Sequence, residues 1–392
     1  MLRAPVLAIY QPERWPHRPI GPDHSGKGVA ITAMGLRSTQ VDQRRAAQAD
    51  QFAGSYKAVA QVVRELGLLR RARWFYGLLF GGLCLALAGA VTGFVLLGDS
   101  WWQLLIAATL GVICTQFAFL AHEASHRQIF SGGPANDRAG RLLGTLLVGI
   151  SYSWWMGKHT RHHANPNRVG KDPDIEIDTI SFLAEDAATR RGLLAALTRR
   201  QGYAFFPLLM LEGINLHVSS IRFLAGRRRI TGRWTELGLI AAHLALIATP
   251  AFVFLSPRIA GAFCGVQLAV FGVYMGASFA PNHKGMPIVG ADEKLDFFTK
   301  QVRTSRNIRG RFWASALMGG LNYQVEHHLF PSMPRPHLAK ARSVVRDYCH
   351  SRGIPYTETS LPRSYAIVIA YLNEVGLAAR DPFECPMLAL RR

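Results

Sequence analysis

Four stretches of this chain stay apolar for about the length that crosses a bilayer, and they come in two pairs. Trp74 to Leu97 and Trp101 to Leu120 are separated only by Gly98-Asp99-Ser100; Leu237 to Leu255 and Ile259 to Ala280 are separated only by Ser256-Pro257-Arg258. A helix of roughly 20 residues spans a hydrocarbon core of about 30 Å, and a three-residue break is enough for a tight hairpin. The pattern predicts an all-α integral membrane protein with four transmembrane helices in two hairpins. Trp101-Trp102 sits where an interfacial anchor is expected.

The remaining segments are more polar. Residues 1–50 contain Pro12, Pro16, Pro19 and Pro22 among several glycines and hold no apolar period, so disorder is expected. Met1 to Tyr10 is too short for the apolar core of a signal peptide. Over residues 51–73, Val59, Val62, Val63, Leu66 and Leu69 recur on one side and Arg70-Arg71-Ala72-Arg73 closes the segment, which predicts an amphipathic helix at the membrane surface. Leu142 to Trp155 is apolar but too short to span, and is expected to be re-entrant or interfacial. Tyr203 to Leu224 is interrupted by Pro207, Glu212, Asn215 and His217, which favours two short interfacial helices over a span. Everything after Lys284 is too polar to cross. The membrane domain therefore covers residues 74–345, followed by a polar tail over 346–392.

Charge gives this arrangement a direction. The formal net charge is +20 although 49% of the residues are hydrophobic, a conflict that disappears if arginines flank apolar spans. The hairpin tips carry only Asp99 and Arg258, whereas Arg70, Arg71, Arg73, Arg227, Arg228, Arg229, Arg233, Arg303 and Arg306 lie on the other side. Basic flanks stay cytoplasmic, so both termini and a helical cap are expected there. A membrane surface, not nucleic acid, is the expected partner for this charge. The five cysteines are scattered, with no CxxC, and predict neither a disulfide framework nor an iron–sulfur site.

Candidate chemistry lies in the histidines. His122-Glu123-Ala124-Ser125-His126 follows the second span, His159-Thr160-Arg161-His162-His163 lies in the central polar segment, and Gln324-Val325-Glu326-His327-His328 follows the fourth span. Spacings of three and four residues place side chains on one helical face. Asn282-His283 ends the fourth span. All are predicted on one side of the membrane, so they can converge. His122-Glu123-x-x-His126 also fits a zinc protease motif, but a catalytic zinc takes three protein ligands, and this face offers eight histidines. That surplus fits two metal ions. Imidazole suits iron, copper, nickel or zinc. His217, His243, His337 and His350 are read as structural or surface residues.

The HxxxH, HxxHH and QxxHH boxes, in this order around two hydrophobic hairpins, resemble those of the membrane fatty acid desaturases, from about Trp74 to Leu338. Gln324 opening the third box, with Leu329-Phe330-Pro331 behind it, is similar to the front-end, linoleoyl-CoA desaturase-like subgroup. The resemblance implies a cofactor of two iron ions held by His122, His126, His159, His162, His163, His283, His327 and His328, with Gln324 as a ninth candidate. It implies O2 as co-substrate, and insertion of a cis double bond into an acyl chain carried by CoA, a carrier protein or a lipid. A related di-iron hydroxylase or ketolase shares the same metal logic. Glu123, Asp137, Asp172, Asp174, Asn282 and Glu326 are candidates to support the ligands, the carboxylates by accepting their free ring N–H groups. Many front-end enzymes carry a His-Pro-Gly-Gly haem motif in a fused cytochrome-b5-like domain, and the motif does not occur here. Electrons are therefore expected from a separate partner such as a ferredoxin, cytochrome b5 or reductase.

Overall fold

A chain segment surrounded by lipid must satisfy its own backbone hydrogen bonds, and a helix does so within the segment. A computed structural model describes residues 56–378 and is mostly helical. In chain order the helices are α1 (56–65), α2 (Arg73–Leu97), α3 (Gln103–Ser125), α4 (Gly133–Arg141), α5 (Tyr152–Ala164), α6 (Ala184–Ala188), α7 (Gly192–Thr198) and α8 (Gln201–Leu209). They continue as α9 (Glu212–Ala225), α10 (Arg233–Phe254), α11 (Pro257–His283), α12 (Phe297–Arg303), α13 (Phe312–Leu317), α14 (Gln324–Leu329), α15 (Arg335–Ser351) and α16 (Leu361–Ala378). Two dipeptide strands, β1 (Asn307–Ile308) and β2 (Glu358–Thr359), pair in parallel.

Among the described residues, four helices are long and apolar enough to cross a membrane: α2, α3, α10 and α11. They coincide with the four predicted spans. Two of them run on past their apolar stretch: α3 extends to Ser125 and α11 to His283, so the polar ends carrying histidines are helical continuations. These two helices pack side by side and in parallel. A Cβ on Gly111 would come within 2.9 Å of the Gln267 carbonyl oxygen, and further along Phe119 meets Phe279 at 6.5 Å between centroids. Glycine at 111 allows that close approach, and the parallel packing brings His122 and His283 to the same end.

The apolar stretch 142–155 is not a single short helix. Leu142–Leu147 closes α4 with a wide, π-type turn. The chain then breaks at Gly149, whose φ of +82° lies in the left-handed region, and α5 begins at Tyr152. Ser151 caps α5 by accepting from the Trp154 N–H. The break sets the axis of the helix that carries the second histidine box. In the stretch 203–224, α8 and α9 are bent by 73° at the junction, in accord with two short helices.

Two other expectations change. The helical part of 51–73 among the described residues is α1, and its Val59 and Val63 are buried against Phe298, Val325 and Leu329. Only Val62 and Leu66 of its apolar side face outward, so most of that side packs on protein around α14. The tail after residue 346 is also part of the fold up to Ala378: Val368 and Leu372 of α16 are buried with Phe205, Leu209 and Ala280. Their i, i+4 spacing is an amphipathic signal.

Candidate metal centre

The helical period sorts the histidines. Residues four apart on a helix face the same way, whereas neighbours diverge by about 100°. His122 and His126, and His159 and His163, accordingly meet in one group with His327; His162 and His328 turn away from their neighbours and meet His283 in a second. Within each group, one nitrogen per ring lies within 4.8 Å of every other. All eight candidate histidines from α3, α5, α11 and α14 are thus brought together, as two clusters of five and three rings.

The three-ring cluster is tied down from behind. His162 Nδ1 lies 3.0 Å from Asp172 Oδ1, His283 Nδ1 is 2.9 Å from the Thr304 carbonyl oxygen, and His328 Nδ1 is 2.9 Å from Gln301 Oε1. With each Nδ1–H donated outward, the Nε2 lone pairs face one another: His162 and His283 approach to 3.3 Å, and Gln324 Nε2 lies 2.9 Å from His283 Nε2. Asn282 donates to Gln324 Oε1 at 3.3 Å. Gln301 also donates to the His163 carbonyl oxygen at 2.8 Å, so one buried amide joins the second and third boxes.

The five-ring cluster has a different construction. His159 Nε2 is 3.1 Å from His122 Nε2 and 2.8 Å from His126 Nε2, and Trp155 stacks on His159 at 4.2 Å between centroids. Among the described residues none of its rings makes an Nδ1 hydrogen bond like those above. His163 Nδ1 and Nε2 and His327 Nε2 are buried without any partner.

Ring nitrogens crowded this closely, several of them orphaned, are placed to share a cation. Burial pushes His126 down to about 3, and burial with neighbouring histidines holds His159, His163, His327 and His328 well below the ordinary value. Neutral rings with free lone pairs are what a metal requires. His162 is the exception. Burial would lower it, but Asp174 and Asp172 outweigh burial and raise it. The residues fit two imidazole-bound metal ions.

The supporting carboxylates divide. Asp172 and Asp174 both face His162. Glu123 instead forms a buried two-point ion pair with Arg335, both contacts 2.6 Å. Asp137 accepts from the Tyr152 hydroxyl. Glu326 accepts from Asn307 and Tyr356, both at 2.7 Å, and burial pushes it up to about 7 against those two bonds. None of these last three accepts a ring N–H; each instead fixes the backbone that carries a box. Glu123, locked by Arg335, is not free to serve as the base of a zinc protease. Gln301, Thr304 and Arg335 were not singled out from the sequence, where no spacing ties them to a box.

Both clusters open on a cavity of about 480 Å³. His122, His159, His162, His283 and Gln324 form part of its wall, and Ala118, Gly144, Val148, Leu216, Met275 and Phe279 give it an apolar interior.

Comparison with known proteins agrees with this geometry. The fatty acid desaturase family profile matches residues 99–360, more than half of the chain. A Delta(8)-fatty-acid desaturase of Helianthus annuus is 28% identical, covering 85% of this chain and 76% of that protein. An acyl-lipid (9-3)-desaturase of Borago officinalis is 27% identical, over 78% of this chain and 71% of its own length. The Delta(6)-fatty-acid desaturase fat-3 of Caenorhabditis elegans is 26% identical over 70% and 65% respectively. Spans, histidine boxes and family match converge: this chain belongs to the fatty acid desaturase family and is an oxidoreductase.

Proposed function

We propose that the protein is an O2-dependent di-iron desaturase that places a cis double bond in an acyl chain lying in the 480 Å³ cavity, with front-end-like regioselectivity. The observation that carries the reading is the meeting of eight histidines in two clusters, with His122, His159, His162 and His283 on the wall of one cavity. His122, His126, His159, His163 and His327 would hold one iron; His162, His283 and His328, with Gln324 beside them, would hold the other. When bound, the irons supply the activation of O2 and the removal of two hydrogens from adjacent methylene carbons.

The chain's own residues do the rest. Ala118, Gly144 and Met275 leave room for an alkyl chain, and Phe279, close to His122 at 6.2 Å between ring centroids, bounds it beside the five-ring cluster. The apolar wall keeps water away and holds one C–C bond in place, which is most of what a protein can add to such chemistry. Asp172, Thr304 and Gln301 keep three rings in the tautomer that points Nε2 inward. Electrons come from a separate redox protein, and the arginines beside the spans put the site and both termini on the cytoplasmic side. Basic surface near the site would steer an acidic donor.

The test is expression in a host without polyunsaturated lipids, followed by profiling of fatty acid methyl esters. A new cis-unsaturated ester is expected, absent with His327→Ala while the variant protein stays folded. An unchanged profile with several fed substrates and a supplied donor, or full activity of His327→Ala, contradicts the reading.

A further inference from the structure

A lysine beside the metal ligands in the cavity wall has no carboxylate within ion-pair distance among the described residues. Lys284 follows His283 directly at the end of α11 and lines the cavity together with Lys158. Lys158 is paired: its Nζ lies 2.9 Å from Asp174 Oδ1. The other oxygen of that carboxylate faces His162 Nδ1 at 3.3 Å. Asp172 is engaged as well, by His162 Nδ1 at 3.0 Å and by the Asn167 N–H at 2.7 Å. What Asp174 leaves to Lys284 is its main-chain carbonyl, which accepts from Nζ at 2.6 Å. An ammonium group carries three N–H donors, so that one bond does not exhaust it.

Lys284 is also held in place. Its Nζ sits 3.9 Å over the Phe182 ring, and its own carbonyl accepts from Arg306 Nη2 at 2.9 Å. Arg306 is 1% exposed and donates through Nε and Nη2 to the Pro281 carbonyl, at 3.0 and 2.6 Å. That guanidinium therefore grips the chain on both sides of His283. Consecutive Cα atoms are about 3.8 Å apart, so a single step of fixed backbone ties the ammonium group to the three-ring cluster. Elsewhere the cavity wall is apolar, at Ala118, Gly144, Val148 and Leu216.

We propose that Lys284 binds the carbonyl oxygen at the head of the acyl chain and so fixes which C–C bond faces the metal clusters. This role rests on the cavity being the acyl site. An ester, a thioester and a free acid all present that oxygen, so the carrier does not matter. With the head held one residue from a metal-ligating ring, few carbons separate the carbonyl from the clusters. The longer remainder of the chain fills the apolar part of the cavity, and the reacting bond lies toward the carboxyl end. A charge-assisted hydrogen bond is about twice as strong as a neutral one, and a fixed head turns binding into position along the chain.

Two measurements test it. With the purified full chain, methyl linoleate and linoleyl methyl ether, alike in length but differing in the carbonyl, are compared as displacers of a bound fluorescent polyene fatty acid. The ester should compete at about tenfold lower concentration, the low end of what a hydrogen bond to a charged group contributes. The S-methyl thioester of the same chain should share that advantage over the ether. Lys284→Met should bring all three together, whereas loss of a mere strut beneath Phe182 would weaken all three alike and keep the preference. In cells fed labelled linoleate, the wild-type chain should place the new double bond at one position and Lys284→Met at a mixture of neighbouring positions, read by mass spectrometry. Equal competition by ester and ether in the wild type, an undiminished preference in Lys284→Met, or a single unchanged position in its product overturns the proposal. A wild-type chain that shows the ester preference but makes no product would uphold the carbonyl site and count against desaturation itself.

Discussion

The two histidine clusters hold similar rings by different means. In the three-ring cluster each imidazole is fixed from behind, by Asp172, the Thr304 carbonyl and Gln301. In the five-ring cluster, orientation comes from ring-on-ring contact and the Trp155 stack. A site with few ligands depends on the aim of each one, whereas a site with five tolerates a looser ring. The difference teaches that orienting bonds matter most where ligands are fewest.

The largest break in that comparison comes from removing a ring. His328→Ala should abolish turnover and leave about one metal per chain, because only two rings and Gln324 remain on that side. His126→Ala should abolish turnover too, yet keep close to two metals on its four remaining rings. Metal analysis of both purified variants decides; equal metal loss would erase the distinction.

Removal of an orienting group comes next. Such partners are typically worth 10–100-fold in metal affinity. Asp172→Ala is expected in the upper part of that range, since Asp172 is charged and also receives the Asn167 N–H. Gln301→Leu should cost about tenfold and act on the three-ring metal alone, with Gln301→Glu restoring the acceptor and much of the affinity. If Gln301→Glu bound metal no better than Gln301→Leu, the amide would be only a strut between boxes. Trp155→Leu, on the five-ring side, should have the smallest effect on metal content.

Acid should also separate the clusters in metal-free protein. His126 has its folded value pushed down to about 3 from an ordinary 6.5, so protons bind the unfolded chain first. Its stabilising contribution is present above about 6.5 and is lost as pH falls toward 3. His162 is raised by its aspartates despite burial, so its contribution is full below 6.5 and fades as pH rises through its folded value. Histidine ring NMR across this range should show the His162 signal titrating at higher pH than that of His126; the reverse order would contradict the assignment of Asp172 and Asp174 to His162.

Much of this was legible in the chain. Uninterrupted apolar runs marked α2, α3, α10 and α11, and box spacing marked every histidine now in a cluster, because both are short-range periodic signals. Which neighbour in His162-His163 serves which cluster follows from the 100° step once the helix is known. Other features were not legible, for identifiable reasons. Gln301 and Thr304 act through a fold that brings α12 behind α14, and nothing in their own segment resembles a metal site. Glu123 looked like a ligand's partner by proximity in sequence, yet Arg335, 212 residues away, occupies it. The two-part structure of 142–155 depends on the Gly149 turn, which an apolar window averages away. The burial of α16 was readable from Val368, Leu372 and Val375, but Arg363, Asn373 and Glu374 interrupt the apolar run and give the segment the look of a polar tail.

The ion pair between Glu123 and Arg335 sharpens the reading against a zinc protease. Breaking a buried pair by removing one partner costs about 3–5 kcal/mol. Arg335→Leu should therefore destabilise the fold in thermal unfolding, and should not release a hydrolytic activity.

Metal content of the full purified chain, measured together with its identity by elemental mass spectrometry, tests the central claim most directly. About two irons per chain, falling to about one in His328→Ala, is the expected result. A single zinc per chain, unaffected by loss of His328, would contradict it.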